Sequence, residues 1–149
     1  MQPVNTMTRS PVFLDANALV YALDKTSQHH THAVTIIQKL LAEKITLCTS
    51  HHVIEEVLHI ARKISSTAAI KVIKEVKKIP NLVLVEPDAS IEFAERYAAL
   101  RDQQKTGVND ALLLQLMLDA GISSLFSYDK QFVNRAASLG IKHVGSINH

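Results

Sequence analysis

Four acids, Asp15, Glu56, Asp110 and Asp129, stand in settings where a carboxylate could do chemistry. Asp15 ends a short apolar run, Val12-Phe13-Leu14, and precedes another, Ala18-Leu19-Val20. A carboxylate between two apolar segments loses water and needs hydrogen bonds or a compensating charge. Alone, Asp15 would be explained as well by a turn or a helix cap. Asp129 repeats the pattern after Leu125-Phe126-Ser127-Tyr128. Asp110 opens a stretch that runs Ala-Leu-Leu-Leu-Gln-Leu-Met-Leu, residues 111 to 118. The helix dipole favours an acid there, but an acid in a buried helix also needs a partner.

Glu56 is chosen over Glu55 by a helical wheel. At about 100° per residue, Val53, Ile54, Val57, Leu58, Ile60 and Ala61 form one broad apolar face. Glu56 falls at its edge beside Ile60, and Glu55 points to the far side. Four carboxylates gathered in one cleft repel one another, and some stay protonated unless a cation joins them. A hard, oxygen-only ligand set suits Mg²⁺ or Mn²⁺.

Other clusters point less clearly to a site. His52 and His59 share the face of Glu56, but their spacing differs from that of the two-histidine zinc helix. His29-His30-x-His32 has metal-binding residue types, although histidines at a helix entry are commonly surface or capping residues. Lys71, Lys74, Lys77 and Lys78 make a basic helix face, solvated by default and able to hold phosphates if it lies near the acids. The sequence contains no Gly-rich phosphate loop, and no Ser-His-Asp arrangement follows from its spacing.

The elements that must position these residues alternate. Val12–Leu14 reads as a strand, with apolar sequence continuing over 18–23. A helix is predicted over 30–44, a strand over 45–49, and a helix over 51–64 capped by Ser50. A further helix is expected over 67–78 and a strand over 82–85. Pro87-Asp88-Ala89-Ser90 opens a helix to about Arg101, followed by a polar loop over 102–107. The pattern ends with a buried helix over 108–120 closed by Gly121, a strand over 124–128, a helix over 131–139 ended by Gly140, and a strand over 141–144. This order predicts an α/β fold, a parallel β-sheet flanked by helices on both faces.

The 149 residues fit one domain, placed at 11–149 behind a flexible leader at 1–10. With 47% apolar and 20% charged residues, the composition is that of a globular protein. No apolar run is long enough for a transmembrane span, and the first ten residues lack a signal-peptide core. One cysteine, Cys48, leaves no disulfide within the chain, so a reducing, cytoplasmic location is expected. A net charge of +2 permits nucleic-acid binding without arguing for it.

The motifs in chain order resemble one family. They run Asp15-x-Asn17-x-Leu19-x-Tyr21-Ala22-Leu23-Asp24, Thr49-Ser50-x-x-Val53-x-x-Glu56-Val57, Asp110-Ala111-Leu112, and Ser127-x-Asp129-Lys130-x-Phe132. Together they are similar to the PIN-domain nucleases, over Val12 to Val144. The resemblance maps the family's acids onto Asp15, Glu56, Asp110 and Asp129, as catalytic residues and metal ligands. In size the chain looks like the single-domain, virulence-associated (VapC-like) toxins of toxin–antitoxin pairs. The resemblance implies a Mg²⁺- or Mn²⁺-dependent ribonuclease, commonly a homodimer, silenced by a small antitoxin protein. Two positions depart from the family pattern: Ala16 replaces a usual Thr or Ser, and Gln131 stands where many relatives carry an acid. The loss of a hydroxyl at Ala16 keeps a second reading open, a catalytically weak module that binds RNA or protein. A phosphatase with Asp15 as nucleophile fits poorly, because the usual second acid two residues on is Asn17.

Overall fold

Val12–Leu14 forms β1, the centre of the sheet in the computed structural model of the chain, which describes residues 10–87 and 90–145. Successive strand residues point to opposite faces. Val12, Phe13 and Leu14 are all buried, so both faces of the sheet are covered there. Leu47–Thr49 is β2, Val83–Leu84 β3, Ser124–Phe126 β4 and Lys142–His143 β5. The order is β3-β2-β1-β4-β5, every pair parallel, with Phe13 opposite Cys48 on one side and Leu125 on the other. The chain thus builds one half-sheet from β1 and then returns beside β1 to build the second. Clefts form beyond the carboxyl ends of strands at such a switch point. Here it lies between β1 and β4, the strands that precede Asp15 and Asp129.

The helices are α1 (Ala16–Leu23), α2 (His30–Ala42), α3 (His51–Ile64), α4 (Ser66–Val76), α5 (Ile91–Gln104), α6 (Val108–Ala120) and α7 (Lys130–Ser138). Side-chain oxygens cap several: Ser50 accepts from the Val53 N–H, Ser65 from Ala68 and Ser90 from Phe93. α1 packs on α2 and α3, α3 on α4, and α5 on α6. Phe13, Phe126, Phe132, Leu14, Leu19 and Leu114 are among the largest fully buried side chains. Cys48 is one of the core residues, and burial pushes its thiol up to about 12. No helix among the described residues is long and apolar enough to cross a membrane.

The sequence reading needs several corrections. The apolar stretch after Asp15 is a helix, α1, capped by Asp15 itself. The loop expected from Asp102 begins later, because α5 continues through Gln104 and ends on Lys105 in the left-handed conformation. β2 to β5 are shorter than expected, and β4 stops at Phe126. α6 is buried over Ala111 and 113–117, but Val108 and Leu118 are exposed. Nine residues of the expected leader, 1–9, lie outside the described residues, as do Asp88 and Ala89. Ser10, the tenth, has its Oγ 3.1 Å from Ser123 Oγ.

Candidate active site

Asp15 occupies the end of β1 and the cap of α1 at once. Its backbone N–H donates to the Phe126 carbonyl at 3.1 Å, extending the β1–β4 pairing by one residue. Its Oδ1 accepts the Ala16 N–H at 2.9 Å, and its Oδ2 accepts the Ser127 hydroxyl at 2.7 Å. The residue is 8% exposed, so these bonds replace most of the water it lost. Thr49 at the end of β2 donates its hydroxyl to the Leu14 carbonyl at 2.8 Å, which braces the same edge from the other side.

Ser127 is the hub of this edge. Its one hydroxyl proton goes to Asp15, since Asn17 Oδ1 is farther away at 3.4 Å. As an acceptor, its oxygen takes the Asp129 N–H at 3.1 Å. Asn17 Oδ1 receives the Tyr128 N–H at 2.9 Å, which fixes the turn between β4 and α7. Asp129 caps α7, its Oδ1 accepting from Gln131 and Phe132 at 3.0 and 3.2 Å. It is exposed.

Asp110 is half-buried in the first turn of α6. The partner expected for it is twofold: the Thr106 hydroxyl lies 3.4 Å away and an Arg135 guanidinium nitrogen 3.7 Å away. Glu56 stands on α3 at the rim, largely open to solvent as a residue.

The four acids act on one another. Burial raises Asp15 above the ordinary carboxylate range, the bonds from Ser127 and Ala16 oppose it, and the charges of Asp110 and Asp129 raise it further. Partial burial also raises Glu56, followed by the charge of Asp15, with smaller contributions from Asp110 and Asp129 and an opposing one from His52. Asp110 is raised by burial and by Asp129, against the pull of Arg135 and Thr106. Such mutual repulsion marks a place for positive charge.

Among the described residues, no three acidic, histidine or cysteine side chains are grouped as a ready metal cage. Mg²⁺ takes oxygen donors, keeps several waters and is usually held by one or two carboxylates plus substrate phosphates. An open set of four carboxylates fits that habit better than it would fit a dehydrated, fully enclosed ion. The histidines are otherwise engaged. His30 Nδ1 lies 3.0 Å from the Tyr21 carbonyl, His32 Nδ1 lies 2.5 Å from the Tyr128 hydroxyl, and the His29 ring packs on Tyr21 and Tyr128. No shared metal position follows for 29, 30 and 32. Ser127, Thr106 and Arg135 are the site residues that sequence reasoning did not select. Ser127 and Asn17 lay within the quoted motifs, whereas nothing in the spacing pairs Arg135 with Asp110.

The PIN domain pattern matches residues 12–138. Ribonuclease VapC1 of Aquifex aeolicus is 31% identical over 129 residues, which cover 85% of this chain and 86% of that protein. Among solved structures, VapC20 of Mycobacterium tuberculosis, a sarcin-ricin loop cleaving toxin, superposes with a TM-score of 0.68 at 19% identity, covering 91% of this chain and 99% of its own. VapBC2 from Rickettsia felis, solved on a DNA fragment from its promoter, gives 0.64 at 19% identity, covering 89% and 96%. Those structures share the fold. With the pattern spanning all seven described helices and four of the five strands, and a curated relative 31% identical, the chain belongs to the PIN domain family.

Proposed function

We propose that the protein is a divalent-metal-dependent ribonuclease that hydrolyses RNA phosphodiester bonds as the toxin of a toxin–antitoxin pair. The observation that carries the reading is the Asp15 carboxylate, held by Ser127 and raised first by burial and then by the charges of Asp110 and Asp129. Asp15, Glu56, Asp110 and Asp129 are assigned as the residues that would hold Mg²⁺ or Mn²⁺, directly or through water. The ion supplies charge neutralisation and a more acidic water for attack on phosphorus.

The chain's own contribution is positioning. Ser127 donates to Oδ2 of Asp15, which orients the carboxylate and favours its ionised form. Arg135 does the same for Asp110 by charge. Glu56, at the rim, would ligate the ion or orient the attacking water. Ala16 does not break this arrangement, because Asp15 uses its backbone N–H and not a side chain.

An antitoxin partner is part of the reading. An apolar groove of about 210 Å³ runs between α1, α3 and α4, walled by Val20, Leu23, Val57, Ile60 and Ile64, with Lys71 beside it. It fits an amphipathic segment whose acidic side meets Lys71. A homodimer is also proposed, with the exposed Ile91, Val108 and Leu118 of α5 and α6 as apolar residues it would cover.

The test is incubation of the purified protein with structured and unpaired RNAs, with Mg²⁺, Mn²⁺ or excess chelator. Metal-dependent cleavage is expected. Cleavage that persists in chelator, or none with either ion, overturns the assignment.

A further inference from the structure

A second cavity, of about 320 Å³, shares Ser127 with the site described above and is lined by none of the four acids. Phe126, Tyr128 and His143 wall it from the ends of β4 and β5, His32 from α2, and Lys130 and Asn134 from α7. One stretch of chain connects it to the acids. Ser127, whose hydroxyl binds Asp15, accepts His143 Nε2–H on its carbonyl at 2.8 Å. Tyr128 follows, then Asp129.

The wall is rigid and aromatic. The Tyr128 ring lies 5.4 Å from Phe126, 5.6 Å from His32 and 4.9 Å from Tyr21, centroid to centroid, the last two edge-on. The His32–Tyr128 hydrogen bond removes the remaining freedom of both rings. His143 Nε2 is committed to the Ser127 carbonyl and the Tyr128 hydroxyl to His32, so both rings are held at the cavity wall. Aromatic rings at the side of a cleft suit a flat heterocycle, and proteins take unpaired bases on such platforms. The volume lies at the small end of ligand cavities, which run roughly 300–1,000 Å³. Lys130 and Asn134 are exposed polar groups at the mouth, one able to meet a phosphate and one a base edge.

We propose that this cavity is a nucleobase subsite, which takes one unpaired base next to the scissile phosphate against the Tyr128–His32 wall. Asn134 meets the base edge and Lys130 the adjoining phosphate. The subsite makes cleavage depend on a base contact at one position flanking the cut. This rests on the ribonuclease reading, and the test separates the two.

A short unpaired RNA that the wild type cleaves is remade with an abasic ribose at each position flanking the cut. Wild type, His32→Ala and Asn134→Ala are then compared on every version. Each variant should lose roughly tenfold or more in kcat/KM on intact RNA, mainly through KM, the scale of one lost base contact. On the RNA abasic at the matched position, the variants should lose nothing further, which a merely structural role would not produce. Losses that multiply on every abasic RNA overturn the subsite and leave the ribonuclease reading standing. Asn134 is exposed, so its variant carries the test if His32→Ala fails to fold. If the wild type cleaves no RNA, the ribonuclease reading falls. The subsite is then judged by anisotropy of a labelled mixed-sequence RNA in excess chelator, where equal affinity of all three proteins overturns it.

Discussion

The Ser127 hydroxyl and the Asp15 carboxylate meet at 2.7 Å across 112 positions of chain, and join the carboxyl ends of β1 and β4. This bond opposes the burial that raises Asp15. Removing it in Ser127→Ala leaves the carboxylate harder to ionise and a worse metal ligand. A hydrogen bond to a charged group contributes about 1.5–3 kcal/mol. Mn²⁺ should therefore bind about tenfold or more weakly by calorimetry at neutral pH. Wild-type affinity in the variant would assign the bond to folding alone.

Asp15→Asn and Asp110→Asn keep side-chain shape and remove ligand charge. Loss of one catalytic electrostatic contact typically costs roughly 2.7–4 kcal/mol of barrier. RNA cleavage at saturating metal should fall about a hundredfold or more, and Glu55→Gln, on an exposed residue, should change little. Wild-type rates in both Asn variants would move the activity away from these acids.

Stability in the absence of metal should depend on pH with a defined sign. Asp15 titrates higher in the folded protein than in the unfolded chain. Its favourable contribution is therefore complete below the unfolded carboxylate pKa and is lost as pH rises through the raised value. Asp15→Asn is free of that loss, and its amide still leaves an oxygen for the Ala16 N–H. The melting temperature of Asp15→Asn relative to wild type should climb from about pH 4 to pH 7. Asp24 and Asp119, which are shifted down, are present in both proteins and cancel in the difference. Saturating Mg²⁺ should shrink the gap by stabilising wild type. A difference that is flat with pH would show that Asp15 carries no such strain.

Arg135 is 3.7 Å from Asp110 and pulls its titration down. Arg135→Gln should move the acid limb of the cleavage profile to higher pH, with the plateau rate less affected. An unshifted limb would leave Asp110 outside the titrating set.

The groove between α1, α3 and α4 gives a separate handle on regulation. Ile64 is 76% exposed at its rim, so Ile64→Glu should leave folding and RNA cleavage intact. Combined with Lys71→Glu it should abolish co-purification with a small protein from a neighbouring reading frame. Retained co-purification would place the partner elsewhere.

Strand-end acids and helix periodicity made most of the fold legible in the sequence. Val12–Leu14, the Ser50 cap and the Gly121 stop are local signals, and each was read where it lies. α1 was missed because residues 16–23 are apolar throughout apart from Asn17, with no polar face to betray a helix packed on both α2 and α3. The overrun of α5 has the opposite cause. Its stop is Lys105 at φ 51°, a conformation that glycine usually marks and lysine does not. For the site, acids could be chosen by their neighbours in sequence, whereas Ser127 on Asp15 and Arg135 on Asp110 are contacts made only after the sheet closes.

The short edges of the sheet have a kinetic consequence. β3 and β5 have two residues each, while β1 is paired on both sides. Amide hydrogens should exchange with deuterium early at the margins, and last at Val12 and Asp15, which donate to Thr46 and Phe126. Asp15 is thus fastened to the slowest-opening part of the molecule. A cation taken up as proposed would meet this carboxylate already in place, and the waiting time for capture should be set by diffusion and dehydration of the ion rather than by rearrangement of β1.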